Sequence, residues 1–547
     1  MGVKGLFGGY IMRNHKDCVY RSRPEGSVWD FLLIDLNGII HTACAQVYGY
    51  GDQRQTERRL LSRASSSETP REPTIRDVER AIMDRVRSLI RMTTPTKGVF
   101  VAIDGVAPVS KQCQQRARRY RASMTRGDDS PFDSNSITPG TEFLHNLSYH
   151  IGMTLKNRFT SEFPSLEFYL ANQVVAGEGE HKAIQFIRKR KDLGESYILY
   201  GMDADLINLA LGSPAEKIYI VREVMQGATT YNWVNVSMIR SRIQSDMFWQ
   251  SMEWACEPEG FIRDFITLGC LLGNDFLPQI KSLNIYEGAF NNMISAYVEY
   301  APSYGHLVFK RNSAWGINKI LFKRIMESLQ TKEHENLGNV AIGKDSRHID
   351  RYLQECLTLT QNPSPSDFNY TKYRTVYTDA KLMKDARKAV MKYMEGIEWV
   401  VNYYLDGPRS WTWYYPYHYA PLLWHFAEYA DLFNSVSYTP TRPHAPVQQL
   451  LSVLPPKSAN LIPEPFRSMI LSPEFSLKDQ YPSEVEVDLG GCFAEWEGTV
   501  LVPFIDQRRV SKLYLDNSGR LPEDAKKRNI AGRVFRYQGQ TMSFYEL

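Results

Sequence analysis

Seven acidic residues, Asp35, Asp104, Glu178, Glu180, Asp203, Asp205 and Asp275, each stand where an apolar run ends or a glycine-containing turn begins. Carboxylates that converge in a fold repel one another unless cations neutralise them, and hard oxygen donors of this kind suit Mg2+ or Mn2+. The chemistry they point to is metal-dependent phosphoryl chemistry. Taken singly, an Asp at the end of a strand is usually a helix cap or turn residue. The set departs from that reading because Gly177-Glu-Gly-Glu180 and Asp203-Ala-Asp205 place acids two apart with no Lys or Arg interspersed.

The elements that must carry these acids are legible as apolar runs. Val28 to Asp35 and Lys97 to Asp104 read as buried strands that each deliver a carboxylate at the end, and Ser196 to Asp205 repeats the design. Glu178 and Glu180 fall where a loop opens a helix, and Phe261 to Leu272 reads as an apolar helix followed by Asp275. Ligands collect at the carboxyl ends of strands in open α/β sheets, so this arrangement predicts an α/β fold with a largely parallel central sheet flanked by helices.

Directly after Asp104, Lys111, Gln115, Arg118 and Arg119 recur at helical spacing on one face. Such a face is ordinarily a solvated basic helix. Beside a metal site it suits a terminal phosphate, whose oxygens guanidinium forks bind bidentately. Farther on, residues 411 to 419 hold six Trp or Tyr together with His418. Aromatic faces stack on any base, so this block is a candidate for sequence-tolerant contact with a nucleic acid.

At 547 residues the chain exceeds the usual size of one core. The readings are an α/β unit over 1–300, a helical, polar connector over 301–375, and a second, aromatic- and proline-rich region over 376–547, with a helix from Lys381 to Tyr404. Gly49 to Pro73 reads as a solvated insertion. Lys plus Arg number 65 against 61 Asp plus Glu, so contact with a polyanion depends on local patches and not on overall charge. The seven cysteines form no Cys-x-x-Cys pair, which disfavours a zinc knuckle and a disulfide framework. No apolar run reaches membrane length, and Leu6 stands where a myristoylation motif after Met1-Gly2 wants Ser or Thr. The expectation is a soluble intracellular protein, cytoplasmic rather than nuclear, with no membrane partner.

Several ordered motifs resemble the 5′-to-3′ exoribonuclease (Xrn) family. They are the opening Met1-Gly-Val, Leu36 to His41, Asp104-Gly-Val-Ala-Pro108, Gln114 to Arg121, Ser136 to Phe143, Gly177 to Lys182, Asp203 to Ile207 and Gly273 to Pro278. The likeness continues through Ser410 to Pro421, Gln449 to Ala459 and Glu495 to Asp506. It implies a PIN/FEN-like nuclease core with the second region packed against it to complete an RNA channel. It further implies a monomeric enzyme that processively removes nucleoside 5′-monophosphates from single-stranded RNA bearing a 5′-monophosphate. By the same likeness the seven acids hold two ions, Mg2+ or Mn2+, and Lys111, Gln115, Arg118 and Arg119 form the 5′-phosphate pocket. His41 stacks on the terminal base against a Trp, with Trp411 and Trp413 both open as its partner. The chain departs from the family pattern at Lys4, at Gly8-Gly-Tyr10 and at Gln279. Two other readings compete with it, a flap-type structure-specific nuclease and a catalytically silent RNA-binding scaffold. The first would want a duplex-binding segment, and the second has no reason to keep all seven acids.

Overall fold

A computed structural model describes the chain except residues 1, 2, 4, 51–71, 128–129, 225–229, 344–346, 359 and 493. Met1 and Gly2 of the opening motif, the Lys4 departure and most of the Gly49–Pro73 insertion therefore lie outside the described residues.

A nine-stranded sheet organises the molecule, in the order β1-β7-β6-β5-β2-β3-β4-β12-β13. Its strands are β1 (Val19–Tyr20), β2 (Phe31–Asp35), β3 (Gly98–Ala102), β4 (Glu167–Ala171), β5 (Ser196–Tyr200), β6 (Lys217–Val224) and β7 (Thr230–Asn235), with β12 (Val534–Gln538) and β13 (Thr541–Tyr545) at the far edge. Between them in sequence, β8 (Val308–Arg311) and β9 (Ala314–Ile317) make a hairpin, and β10 (Val487–Asp488) pairs with β11 (Thr499–Val500). The five central strands, β6, β5, β2, β3 and β4, run parallel, and every pairing outside them is antiparallel.

Why these segments are strands follows from burial on both faces. Phe31-Leu-Leu-Ile34 and Gly98-Val-Phe-Val-Ala102 are continuous buried runs, as expected of parallel strands covered by helices on each side. Alternation along the pleat sends Leu32, Ile34, Val99 and Val101 to one core and Phe31, Leu33, Phe100 and Ala102 to the other. Helices α1 (Asn37–Tyr48), α2 (Ile75–Thr93) and α4 (Glu142–Thr154) cover the first face; α3 (Val109–Thr125) stands between α2 and α4 in sequence. The opposite face is covered by α5 (Gly179–Lys189), α6 (Asp205–Leu211), α7 (Pro258–Gly269) and α8 (Ala386–Leu405).

The expected fold class, a largely parallel sheet flanked by helices with a helical, aromatic-rich region against it, is what the structure has. The sheet is not confined to residues 1–300, however, because Phe535 of β12 pairs with Leu170 of β4. Nor does the core stop at 300 or 375: Leu321, Phe322 and Ile325 belong to the same apolar cluster as Leu33 and Trp399. The helix expected from Lys381 begins instead at Ala386, where Asp385 caps it by accepting from the Lys388 N–H. Helix α9 (Pro446–Val453) packs on α3, and the buried Arg116 of α3 donates to the carbonyls of Pro503, Ser452 and Gln480. That clamp joins α3 to the C-terminal region. No helix among the described residues is long and apolar enough to cross a membrane.

Candidate metal centre and its cationic neighbours

The parallel register brings the carboxyl ends of three strands to one edge. Asp35 lies opposite Ala102, and Ile34 lies opposite Tyr200, so the segments that carry Asp104 and Asp203 leave the sheet beside Asp35. Asn37 ties two of these ends together: its backbone N–H faces Asp35 Oδ1 at 3.4 Å, and its side-chain oxygen accepts from the Asp104 N–H at 3.0 Å. Glu178 is the residue before α5, and the Gly179 N–H donates to Asp104 Oδ1 at 2.7 Å. Asp205 opens α6, and Asp275 follows the turn that ends the α7 segment.

One oxygen from each of Asp35, Glu180 and Asp203 can be chosen so that all three lie within 4.8 Å of one another. The remaining acids act on these electrostatically. Burial and the charges of Asp104 and Asp203 push the Asp35 carboxyl well above the usual carboxylate range, and burial with Glu178 and Asp35 does the same to Glu180. Burial also raises Glu178, and burial together with Asp275 raises Asp205 to about 7. Asp205 Oδ1 is buried without a hydrogen-bond partner in the protein. Buried anions held this close resist joint ionisation unless dications offset them. An all-oxygen donor set with an orphaned buried oxygen therefore fits a hard divalent ion.

Of the cationic residues named from the sequence, Lys111 is buried and placed with the acids, its ammonium paired with Glu178 and lying 2.6 Å from Asp275 Oδ2. Those anions outweigh the effect of burial and hold it protonated. Helical spacing predicted that Lys111, Gln115, Arg118 and Arg119 share one face of a helix, and the structure shows how that face is covered. Only Arg118 is exposed, while Gln115 and Arg119 are buried like Lys111. Arg119 donates through Nε and Nη2 to Thr138 Oγ1, at 3.0 and 2.8 Å. Burial and the neighbouring Arg118 charge bring Arg119 down to about 9. Half-buried His41 stands close enough to feel both arginines; burial, then Arg118 and Arg119, lower it to about 3, so its ring is neutral at physiological pH.

The two tryptophans separate clearly. Trp413 is buried, stacks on Trp399 with ring centroids 5.1 Å apart, and donates its indole N–H to Glu395. It is a core residue, so of the two tryptophans that the resemblance left open, Trp411 is the more exposed. Trp411 is half-buried, and its carbonyl accepts from the Val109 N–H at the start of α3, beside the cationic residues.

Three contributors escaped the sequence reading. Tyr403 of α8 donates its hydroxyl to Glu178 Oε1 at 2.8 Å, and the His181 ring stacks on it at 3.8 Å. Lys182, fully buried, donates to the carbonyls of Ile103 and Asn172 and so ties the ends of β3 and β4; burial lowers it to about 7. Its place in the Gly177-to-Lys182 motif was the available signal. Tyr403 had none, because its partner lies 225 positions away in sequence.

Comparison with known proteins adds the lineage. Residues 1–224 match the family model described as the XRN 5'-3' exonuclease N-terminus, and residues 255–362 and 367–541 match the one described as the Xrn1 helical domain. Among curated proteins, the chain is 27% identical to 5'-3' exoribonuclease 1 of Homo sapiens, over 92% of this chain and 33% of that protein. It is 26% identical to 5'-3' exoribonuclease 1 of Saccharomyces cerevisiae, over 95% of this chain and 43% of that one. It is also 26% identical to the 5'-3' exoribonuclease 2 homolog of Drosophila melanogaster, over 96% and 69%. The chain thus spans less than half the length of the first two relatives. A solved structure of the catalytic core of Rad2 with a DNA substrate aligns with 81% of this chain and 92% of its own at 13% identity, with a TM-score of 0.34. The two models between them cover both the strands that carry the acids and the helices packed on them, and the chain belongs to the XRN 5'-3' exonuclease family.

Proposed function

We propose that this chain is a divalent-metal-dependent 5′-to-3′ exoribonuclease that shortens single-stranded RNA from a 5′-monophosphate end and releases nucleoside 5′-monophosphates. The observation that carries the reading is the convergence of Asp35, Glu180 and Asp203 oxygens within 4.8 Å, with four more acids in electrostatic reach and Arg118, Arg119 and His41 alongside. In this reading the seven carboxylates hold Mg2+ or Mn2+, two ions in all. When bound, such ions lower the pKa of an attacking water and stabilise the departing oxygen, so no Ser, Cys or His nucleophile is needed.

The chain's own residues have separate roles. Arg118 and Arg119 receive the terminal phosphate, with Gln115 behind them and Lys111 spanning from the helix to Glu178 and Asp275. Trp411 and the neutral His41 are the stacking pair for the terminal base, which accepts any nucleobase because every base presents a π-face. Tyr403 holds the Glu178 carboxylate in orientation. In this reading the cationic residues accept a single terminal phosphate, and a cap or triphosphate is refused by its added bulk and charge.

Product analysis on end-labelled RNAs tests this. Matched 5′-monophosphate, 5′-triphosphate and capped RNAs are incubated with Mg2+ or Mn2+, with and without chelator. The reading requires mononucleotide release from the monophosphate RNA alone, abolished by chelation. Equal decay of all three removes the pocket, and no release in either metal removes the enzyme.

A further inference from the structure

Among the described residues, the other buried cations are matched to strong acceptors. Lys111 faces two carboxylates, and Arg116 spends its donors on three backbone carbonyls. Arg119 differs. It is 5% exposed, and its side-chain partners are the Thr138 hydroxyl and, at 3.4 Å, the Gln115 carbonyl one turn back. Thr138 is fully buried, and its hydroxyl hydrogen goes to the Asn135 carbonyl at 2.7 Å. The oxygen therefore turns its lone pairs to Arg119, and the Nε and Nη2 donors both converge on it.

That loop is itself fixed to the C-terminal region. The Asn135 side chain donates to Ser458 Oγ at 3.0 Å, and the Ser458 hydroxyl donates to Asp133 Oδ2 at 2.7 Å. Ser136 and Thr141 close the same turn, with the Thr141 hydroxyl within 2.9 Å of the Thr138 carbonyl. The segment is the Ser136-to-Phe143 motif, to which the site chemistry assigns no task.

From this arrangement we infer that Thr138 is a positioning residue for 5′-phosphate recognition: its neutral hydroxyl fixes the plane of the Arg119 guanidinium without neutralising its charge. A carboxylate in that place would hold the guanidinium equally well but cancel the cation that a phosphate needs. A hydroxyl consumes one edge of the fork and leaves one N–H on each of Nη1 and Nη2 uncommitted. The inference rests on the reading of Arg119 as part of the 5′-phosphate pocket.

The test compares kcat/KM on 5′-monophosphate and 5′-hydroxyl RNAs of one sequence in Mg2+, for wild type, Thr138→Val, Thr138→Ser and Arg119→Ala. Each ratio is taken on a single preparation, so the folded fraction cancels. Thr138→Val keeps the shape and removes the acceptor, and it is expected to lower the monophosphate preference roughly tenfold, mainly through KM on the monophosphate RNA. Thr138→Ser keeps the oxygen and is expected to retain the preference. If Thr138→Val gives no soluble protein, Thr138→Ala is read the same way. A collapsed ratio in Arg119→Ala with a wild-type ratio in Thr138→Val overturns the role of Thr138 alone. A wild-type ratio in Arg119→Ala overturns the phosphate pocket and this inference with it.

Discussion

Gly179→Ala is a one-carbon perturbation aimed at the geometry of the acids and at nothing else. Gly179 is the first residue of α5, between Glu178 and Glu180, and a methyl built on it would lie 2.4 Å from Asp35 Oδ1 and 3.2 Å from Asp35 Cγ. Asp35 cannot retreat with its strand, because Phe31 to Ile34 are all buried. Its carboxylate must therefore swing away by about 1 Å to reach ordinary contact distance. A misplacement of about 1 Å at a reacting centre costs on the order of 100-fold in rate. Local overpacking costs about 1–3 kcal/mol of stability, partly offset by the roughly 0.5–1 kcal/mol that Ala gains over Gly within a helix. The assay is single-turnover release of the first nucleotide from 5′-monophosphate RNA at saturating Mg2+, with thermal melting in parallel. The expected result is a rate about 100-fold lower in a protein that still melts cooperatively. A folded Gly179→Ala protein that turns over within threefold of wild type would refute the claim that Asp35 must stay where it is.

Further expectations follow from the same contacts. Tyr403→Phe removes the hydroxyl held by Glu178, a charge-assisted bond worth about 1.5–3 kcal/mol, and should lower kcat roughly 10- to 100-fold with RNA binding kept; an unchanged kcat contradicts it. Trp413→Ala should cost about 3–5 kcal/mol in denaturant unfolding as a core deletion. Trp411→Ala should leave stability nearly unchanged and weaken RNA binding by about 1–3 kcal/mol; the reverse pattern in the two variants contradicts the assignment. His425 is buried, and its Nδ1 accepts from the Leu422 N–H, which fixes a neutral ring; burial and Arg374 lower its pKa from 6.5 to about 4. Because its folded pKa is depressed, the unfolded chain takes up a proton that the folded protein refuses once the pH drops below 6.5. Its contribution to stability is thus present above 6.5 and lost by up to about 1.4 kcal/mol per pH unit down to about 4. Urea midpoints measured across that range should show a shallower acid decline in His425→Gln than in wild type.

The sequence made the acids and their strands visible because parallel core strands are continuous apolar runs, and a charged residue that ends such a run stands out. Asp35 and Asp104 were legible on that ground, as was the helix of Lys111 to Arg119. Which residues on that helix face water was not legible, since periodicity places Lys111, Gln115, Arg118 and Arg119 together but cannot say what packs on them. The covering elements come from elsewhere in the chain: Gln449 of α9 sits on Gln115, and Asp275 and Glu178 take Lys111. The same limit left Trp411 and Trp413 equivalent, although one Trp points into a core against Trp399 and the other stays at its edge. The β12–β13 hairpin went unread although Val534, Phe535, Tyr537, Met542, Phe544 and Tyr545 give it a strand-like composition, because its membership in the sheet depends on pairing with β4 more than 360 positions earlier.

The central claim is that acids from distant segments cage divalent ions at the end of the sheet. Direct titration of Mn2+ into metal-free protein, read by calorimetry, tests it without reference to turnover. Saturable binding that is lost in the Asp35→Asn, Glu180→Gln, Asp203→Asn triple variant, with its melting retained, is the predicted result. Equal Mn2+ binding by that folded variant and by wild type would contradict the account.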